Sequence, residues 1–234
     1  MGEALSAALR SAGLRVRGPL GRGATGAGAE VVMLCVPDRE IAAAARLIEQ
    51  GSLVGHVSAS SELALLEPHE RFSLHPLLSV VGAGAPFRGA ACAIDGSTPR
   101  AMEMARALAD RLGMRARLIP DAQRALYHAA ATIAANFLVT VEGMAERVGA
   151  HVGLDRDAFA PLVRATLDNW IARGAPAALT GPIARGDDAT VARQRAAVAN
   201  AVPHELALWD ALERATRLLV ADAASGSAVA PVTA

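Results

Sequence analysis

His128, Thr132 and Asn136 recur at intervals of four in the stretch LYHAAATIAANFL, residues 126–138. On an α-helix that spacing lines the three polar groups along one face. An imidazole trades a proton near neutral pH, and an amide orients a carbonyl or carboxylate. His128 and Asn136 are therefore candidates for acid–base work and substrate orientation. Polar groups inside so apolar a helix cost free energy unless something bonds them. The competing reading is that Tyr127, His128 and Asn136 bond one another, or backbone, across a helix interface.

A second stretch, ALTGPIARGDDATV at 178–191, packs glycines, a proline, an arginine, two aspartates and two threonines between helical segments. Thr180, Gly181, Arg185, Asp187 and Thr190 form a candidate anion-binding turn for substrate. Pro182 and the glycines can aim backbone N–H groups inward, and Arg185 offers a planar fork for a carboxylate or phosphate. Asp187 suits the cap of the next helix, with Thr190 at the capped position. The alternative is an ordinary helix connection in which Arg185 pairs with Asp187 or Asp188.

The elements that must position these groups follow from periodicity. The first half alternates apolar strands with amphipathic helices: strands at 14–20, 30–36, 53–58, 71–74, 90–94 and 115–119, helices at 2–12, 39–50, 61–67 and 99–112. That order predicts an α/β parallel sheet covered on both faces. From 121 onward only helices are expected, over 121–150, 155–173, 187–200 and 203–222. The predicted organisation is a nucleotide-binding domain at 1–120, a helical domain at 121–224 and a disordered tail at 225–234. The active cleft is expected between the two domains.

Three strands end in polar groups at what becomes one sheet edge: Val36-Pro37-Asp38, His56 with Ser58, and His75-Pro76. Ligands of open α/β sheets sit at that carboxyl edge. Ser58 and His75 are accordingly candidate substrate contacts, and Val36 and Pro37 candidate cofactor contacts. Asp38 is expected to cap the helix that starts at Arg39. A Ser58–His hydrolase finds no support, because no nucleophile elbow surrounds the serine.

These motifs resemble a known family. LYHAAATIAANFL followed by ALTGPIARGDDATVARQ, together with VPD at 36–38 and LHP at 74–76, is similar to the Rossmann-like proteins of domain-of-unknown-function family 2520. That group resembles pyrroline-5-carboxylate reductase, ketopantoate reductase and 6-phosphogluconate dehydrogenase. The resemblance implies an oxidoreductase acting on a small carboxylate-bearing imine or oxo compound, with a nicotinamide cofactor. It also implies that His128 stands where several relatives carry a Lys, and Asn136 where they carry an Asn, although the spacing here is eight rather than four. A non-catalytic nucleotide- or metabolite-binding protein on the same scaffold is the alternative.

A dinucleotide fold opens with a strand and a Gly-rich turn whose last glycine starts the first helix. Gly2 suits that last glycine and is a candidate cofactor contact. The strand that would precede it is expected upstream, with Met1 an internal methionine; the alternative is a truncated protein that binds nucleotide poorly or not at all. Arg22 follows the next strand, where a cation can meet a ribose 2′-phosphate, and no acidic residue lies between Leu14 and Ala29. NADP is therefore favoured and NAD left open. Arg22 as a solvated loop charge is the other reading.

Composition sets the outer limits. The 23 acidic and 23 basic residues balance, so no net field argues for nucleic acid or lipid headgroups. Every basic residue is Arg, which excludes a Schiff-base lysine. Cys35 and Cys92 read as buried free thiols, with no metal site expected. No basic segment followed by an apolar core opens the chain, so a cytoplasmic protein is expected. The uncharged run at 125–141 falls short of the roughly 20 residues a membrane span needs, and predicts instead a buried helix in a homodimer or domain interface.

Overall fold

The computed structural model describes residues 1–82 and 84–225. In chain order they form α1 (Gly2–Ser11), β1 (Val31–Leu34), α2 (Ile41–Ala45), β2 (Leu53–His56), β3 (Arg71–Pro76), β4 (Ala91–Gly96), α3 (Pro99–Arg111), β5 (Arg115–Leu118), α4 (Arg124–Thr132), α5 (Leu138–Ala150), α6 (Arg156–Arg173), α7 (Ala175–Ala178), α8 (Asp188–Ala201) and α9 (Leu206–Ala224). Short 3₁₀ turns precede α2, α4 and α9, and a π-helical turn, Ile133–Phe137, joins α4 to α5. The chain divides into two compact units, Met1–Phe137 and Leu138–Ala234. Of the tail expected at 225–234, residues 226–234 lie outside the described residues.

The first unit is a five-stranded sheet in sequential order β1 to β5. β1, β2 and β3 run parallel, with Val31 opposite Leu53 and Gly55 opposite Phe72. The all-parallel expectation needs one correction: β4 runs antiparallel to β3, with Leu74 opposite Ile94, and β5 is parallel to β4. The link at 77–90 carries no helix among its described residues, so the chain turns back beside β3 instead of crossing over a face. Residues 14–20, expected as a strand, are irregular. A strand needs a ladder partner, and this segment has no neighbouring strand among the described residues.

Both faces of the sheet are covered. Leu5 and Leu9 of α1 and Ala101, Ala105 and Leu108 of α3 pack with Phe72, Leu74, Cys92 and Ile94. Ile41 and Ala45 of α2 pack with Leu34, Val54 and Leu66 on a second cluster. α3 starts where its sequence directs: the Thr98 hydroxyl accepts the Ala101 N–H at 3.1 Å, and Pro99 occupies the first turn. Gly55 is forced by packing, because a Cβ there would sit 2.5 Å from the Phe72 ring and 2.8 Å from Met33 Sδ.

Among its described residues the second unit forms helices and the turns between them, with no strand. Its core is small, with Met144, Val198 and Val202 buried against Val148, Leu206, Trp209 and Leu212. α6 is capped by Asp155, whose carboxylate accepts the Ala158 N–H at 3.1 Å, and ends at Gly174 with φ 77°. α6 buries no residue, and Leu162, Trp170 and Ile171 stand exposed. No helix among the described residues is long and apolar enough to cross a membrane.

Gly55→Ala is expected to destabilise the fold by about 1–3 kcal/mol, the usual cost of overpacking a closed core. A denaturant melt measures it. Phe72→Leu in the same background should recover part of the loss.

Candidate functional site

Arg124 organises the carboxyl edge of the sheet. It opens α4, yet it is only 2% exposed. Its Nε donates to Asp121 Oδ1 at 2.6 Å, one Nη donates to the Ser73 hydroxyl on β3, and the other reaches the Ser58 carbonyl at 3.5 Å. The second oxygen of Asp121 accepts the Leu63 N–H at 3.1 Å. One guanidinium thus ties α4 to β3 and to the turn after β2.

That turn is a hydroxyl network. Asp38 does not cap the helix after Pro37, as expected; its Oδ2 accepts from the Ser58 hydroxyl at 2.8 Å and the Ser60 hydroxyl at 2.7 Å. Burial pushes this carboxyl up, but the hydroxyls of Ser60, Ser58 and Ser61 and the nearby His56 outweigh it and hold it below the usual carboxylate range. Ser58 Oγ also accepts the N–H groups of Ser60 and Ser61 and lies 2.9 Å from the Ser61 hydroxyl. The Ser58 hydroxyl, predicted as a substrate contact, is engaged in building the turn.

His56 ends β2 fully buried. Its Nδ1 accepts the Ser58 N–H at 3.2 Å, which places the ring proton on Nε2, and Nε2 has no partner among the described residues. Burial, then the positive Arg124, lower its pKa to about 4, so the ring is neutral.

Beside it lies the group best suited to chemistry. His75 of β3 and Tyr127 of α4 are joined by a hydrogen bond of 2.7 Å between Nδ1 and the phenol oxygen, their rings edge-on at 86° with centroids 5.6 Å apart. Burial, then the neighbouring His128 and Arg124, lower the His75 pKa to about 4. Burial, with Cys92 close by, raises the Tyr127 phenol to about 12. Both partners are neutral near pH 7. A phenol that donates to Nδ1 leaves Nε2–H as a neutral donor, able to polarise a carbonyl or imine.

His128 follows Tyr127 on α4 and lies close enough for its charge to act on His75. Within the single chain His128 and Asn136 are exposed and Thr132 is half-buried. The π-helical turn at Ile133–Phe137 bonds i to i+5, which takes Asn136 out of the four-residue register set by His128 and Thr132. The apolar flank is exposed as well, with Leu126 78% and Val139 70% accessible.

The other predicted residues fall in two places. In the first unit, Gly2, Arg22, Val36 and Pro37 line a cavity of about 1110 Å³ beside α1 and β1. A Cβ on Gly2 would lie 3.2 Å from Cys35 Cβ, so glycine lets the start of α1 seat against the end of β1. Arg22 is 86% exposed and pairs with Glu40 at 3.8 Å, a contact that a phosphate could replace. In the second unit, Asp187 caps α8 through the Thr190 N–H at 3.0 Å, as expected. The amides of Arg185, Gly186, Asp187 and Asp188 donate to carbonyls at Gly181, Pro182, Ile183 and Gly186, so the turn closes on itself instead of presenting them to an anion. Asp188 pairs with Arg217 at 2.8 Å.

Residues 90–216 match the family model described as Domain of unknown function (DUF2520). The chain belongs to this family. None of the curated proteins matches it. Among solved structures it is similar to protein TM1727 of Thermotoga maritima, with 25% identity and a TM-score of 0.75 over 82% of this chain and 79% of that one. It is similar also to BF3122 of Bacteroides fragilis, provisionally named an NADP oxidoreductase, with 20% identity and a TM-score of 0.71 over 81% and 75%. Pyrroline carboxylate reductase of Plasmodium falciparum, solved with NADP bound, shares 9% identity with a TM-score of 0.52 over 93% and 94%. At such identities the likeness establishes a Rossmann-like fold.

Sequence reading had singled out His75 and His128 and missed Arg124, Ser73 and Tyr127's role. Only Arg124 left a signal, as the one charge at the head of an uncharged helix.

His56 and His75 have folded-state pKa values below the unfolded value of about 6.5. The unfolded chain therefore binds more protons between about pH 6.5 and 4. Stability is full above that window and falls with pH inside it, by about 3 kcal/mol for His56 alone. Urea melts at pH 7 and 5 check the direction; His56→Gln should flatten the slope.

Proposed function

We infer that this protein is a nicotinamide-dependent oxidoreductase, preferring NADP, that acts on a small carboxylate-bearing imine or oxo compound. The observation that carries this reading is the convergence of His75, Tyr127 and His128 at the carboxyl edge of a Rossmann-like sheet. The likeness in fold to BF3122 and to the NADP-bound pyrroline carboxylate reductase supports it.

The residues around the α1–β1 cavity fit a dinucleotide. Gly2 leaves the start of α1 uncrowded, Val36 and Pro37 close β1, and Arg22 offers a displaceable guanidinium for a 2′-phosphate. The cofactor, when bound, supplies or accepts the hydride. Neutral His75, its Nδ1 held by Tyr127, donates from Nε2 to the substrate's oxygen or nitrogen. His128, exposed beside it, moves the proton that accompanies the hydride. Asn136 orients the carboxylate. The companion expectation is a homodimer through the helical part, supported by exposed Leu162, Trp170 and Ile171.

Titrating NADPH while following its fluorescence is expected to show saturable binding, and Arg22→Ala to weaken NADPH about tenfold or more with little change for NADH. His128→Ala should spare binding and lower turnover of cyclic imines and oxo acids by about 10²–10⁴. No binding at all would overturn the reading; binding without turnover on any such substrate would leave a nucleotide-binding protein. Sedimentation at micromolar concentration checks the dimer, which Trp170→Glu should dissociate.

A further inference from the structure

α4 ends in a turn that its own residues do not call for. The π turn Ile133–Phe137 reads Ile-Ala-Ala-Asn-Phe, without glycine or proline. Two of the five are alanine, the residue that most favours a regular α-helix. Core packing does not demand the turn either, because all five residues are exposed within the first unit, to which they belong. Single π turns inside α-helices are rare and lie frequently at functional sites.

The effect of the turn is geometric. A turn closed by i→i+5 bonds takes up about one residue more than a turn closed by i→i+4 bonds. In an uninterrupted α-helix Asn136, eight positions after His128, would stand about 80° around the axis from it. With one residue absorbed by the π turn, those eight positions sweep what about seven sweep in an α-helix. That is two full turns to within about 30°. Asn136 thus leaves the four-residue register of Thr132 and returns to the side of the helix that carries His128. Exposure follows the same division, with His128 and Asn136 exposed and Thr132 half-buried between them. His128 in turn adjoins Tyr127, whose phenol oxygen lies 2.7 Å from His75 Nδ1.

We propose that the extra residue of the π turn is a positioning element: it sets Asn136 in line with His128, so that both side chains reach one short acid. The amide holds the carboxylate while the imidazole meets the reacting oxygen or nitrogen. The identity of the ligand rests on the oxidoreductase reading; the register of the helix does not. Two turns separate the pair by about 11 Å along the axis. A hydrogen bond of about 3 Å at each end leaves room for an acid only a few bonds long. An amide a quarter-turn around the helix would miss that ligand.

Removing the extra residue tests the register. Deletion of Ala134 should let α4 run on as a regular α-helix, with the asparagine seven positions after His128 and on the same side. The fold and turnover are expected to survive, with a melting temperature within about 5 °C of the parent. Deletion of Ala107, an exposed alanine of α3, is the control, because no π turn there can absorb it. It should displace Leu108 and Ala109 from the core and lower the melting temperature by more than about 10 °C, or prevent folding. Exchanging the neighbours, Ala135→Asn with Asn136→Ala, should raise KM for 1-pyrroline-2-carboxylate about tenfold. Its kcat, and KM for 1-pyrroline, which lacks the carboxylate, should stay unchanged. An Ala134 deletion as damaging as that of Ala107, or an exchanged pair with unaltered KM, would each overturn the proposal. The melts use neither nucleotide nor substrate. If no form of the protein turns over either imine, the oxidoreductase reading falls, and the two deletions still judge the turn.

Discussion

A single buried cation holds the candidate site together. Arg124 is enclosed where α4 meets the sheet, and an enclosed guanidinium is tolerable only with its charge balanced and its N–H groups bonded. Asp121 supplies the charge, Ser73 a hydroxyl and Ser58 a carbonyl. Each partner belongs to a different piece of chain, so satisfying one side chain fixes the helix, the strand and the turn relative to one another. Tyr127 is placed against His75 as a result, one turn further along the same helix.

The same guanidinium shapes the electrostatics. With burial, its positive charge keeps His56 and His75 neutral, and the hydroxyls around Asp38 keep that carboxylate ionised. The edge therefore holds one settled ion pair, one settled carboxylate and two neutral imidazoles. Such a division leaves the His75 ring, held by Tyr127, as a fixed neutral hydrogen-bond donor.

The outline of the fold was legible because burial repeats with the period of each element. β2 was found from its apolar run, α3 from its face and its Thr98–Pro99 start, and the Asp187 cap from its spacing to Thr190. Strand direction was not legible: an apolar run at 90–94 reads the same whether β4 lies parallel or antiparallel to β3. Residues 14–20 carry strand alternation, but a ladder needs a partner, and alternation says nothing of whether one is present. The polar row at 128, 132 and 136 assumed a uniform α-helix, and the π turn at Ile133–Phe137 broke that assumption without any proline or glycine to announce it.

Residue identity alone determined that no lysine of this sequence can act in its chemistry, and that an imidazole and a phenol adjoin on one helix. Those conclusions need only the kinds of groups present and their local spacing. Tertiary structure decided which of the groups meet: His75 lies 52 positions from Tyr127, and Arg124 lies 51 from Ser73 and 66 from Ser58. Such pairings depend on how distant segments close over one another, and it is burial in that closure that sets their protonation.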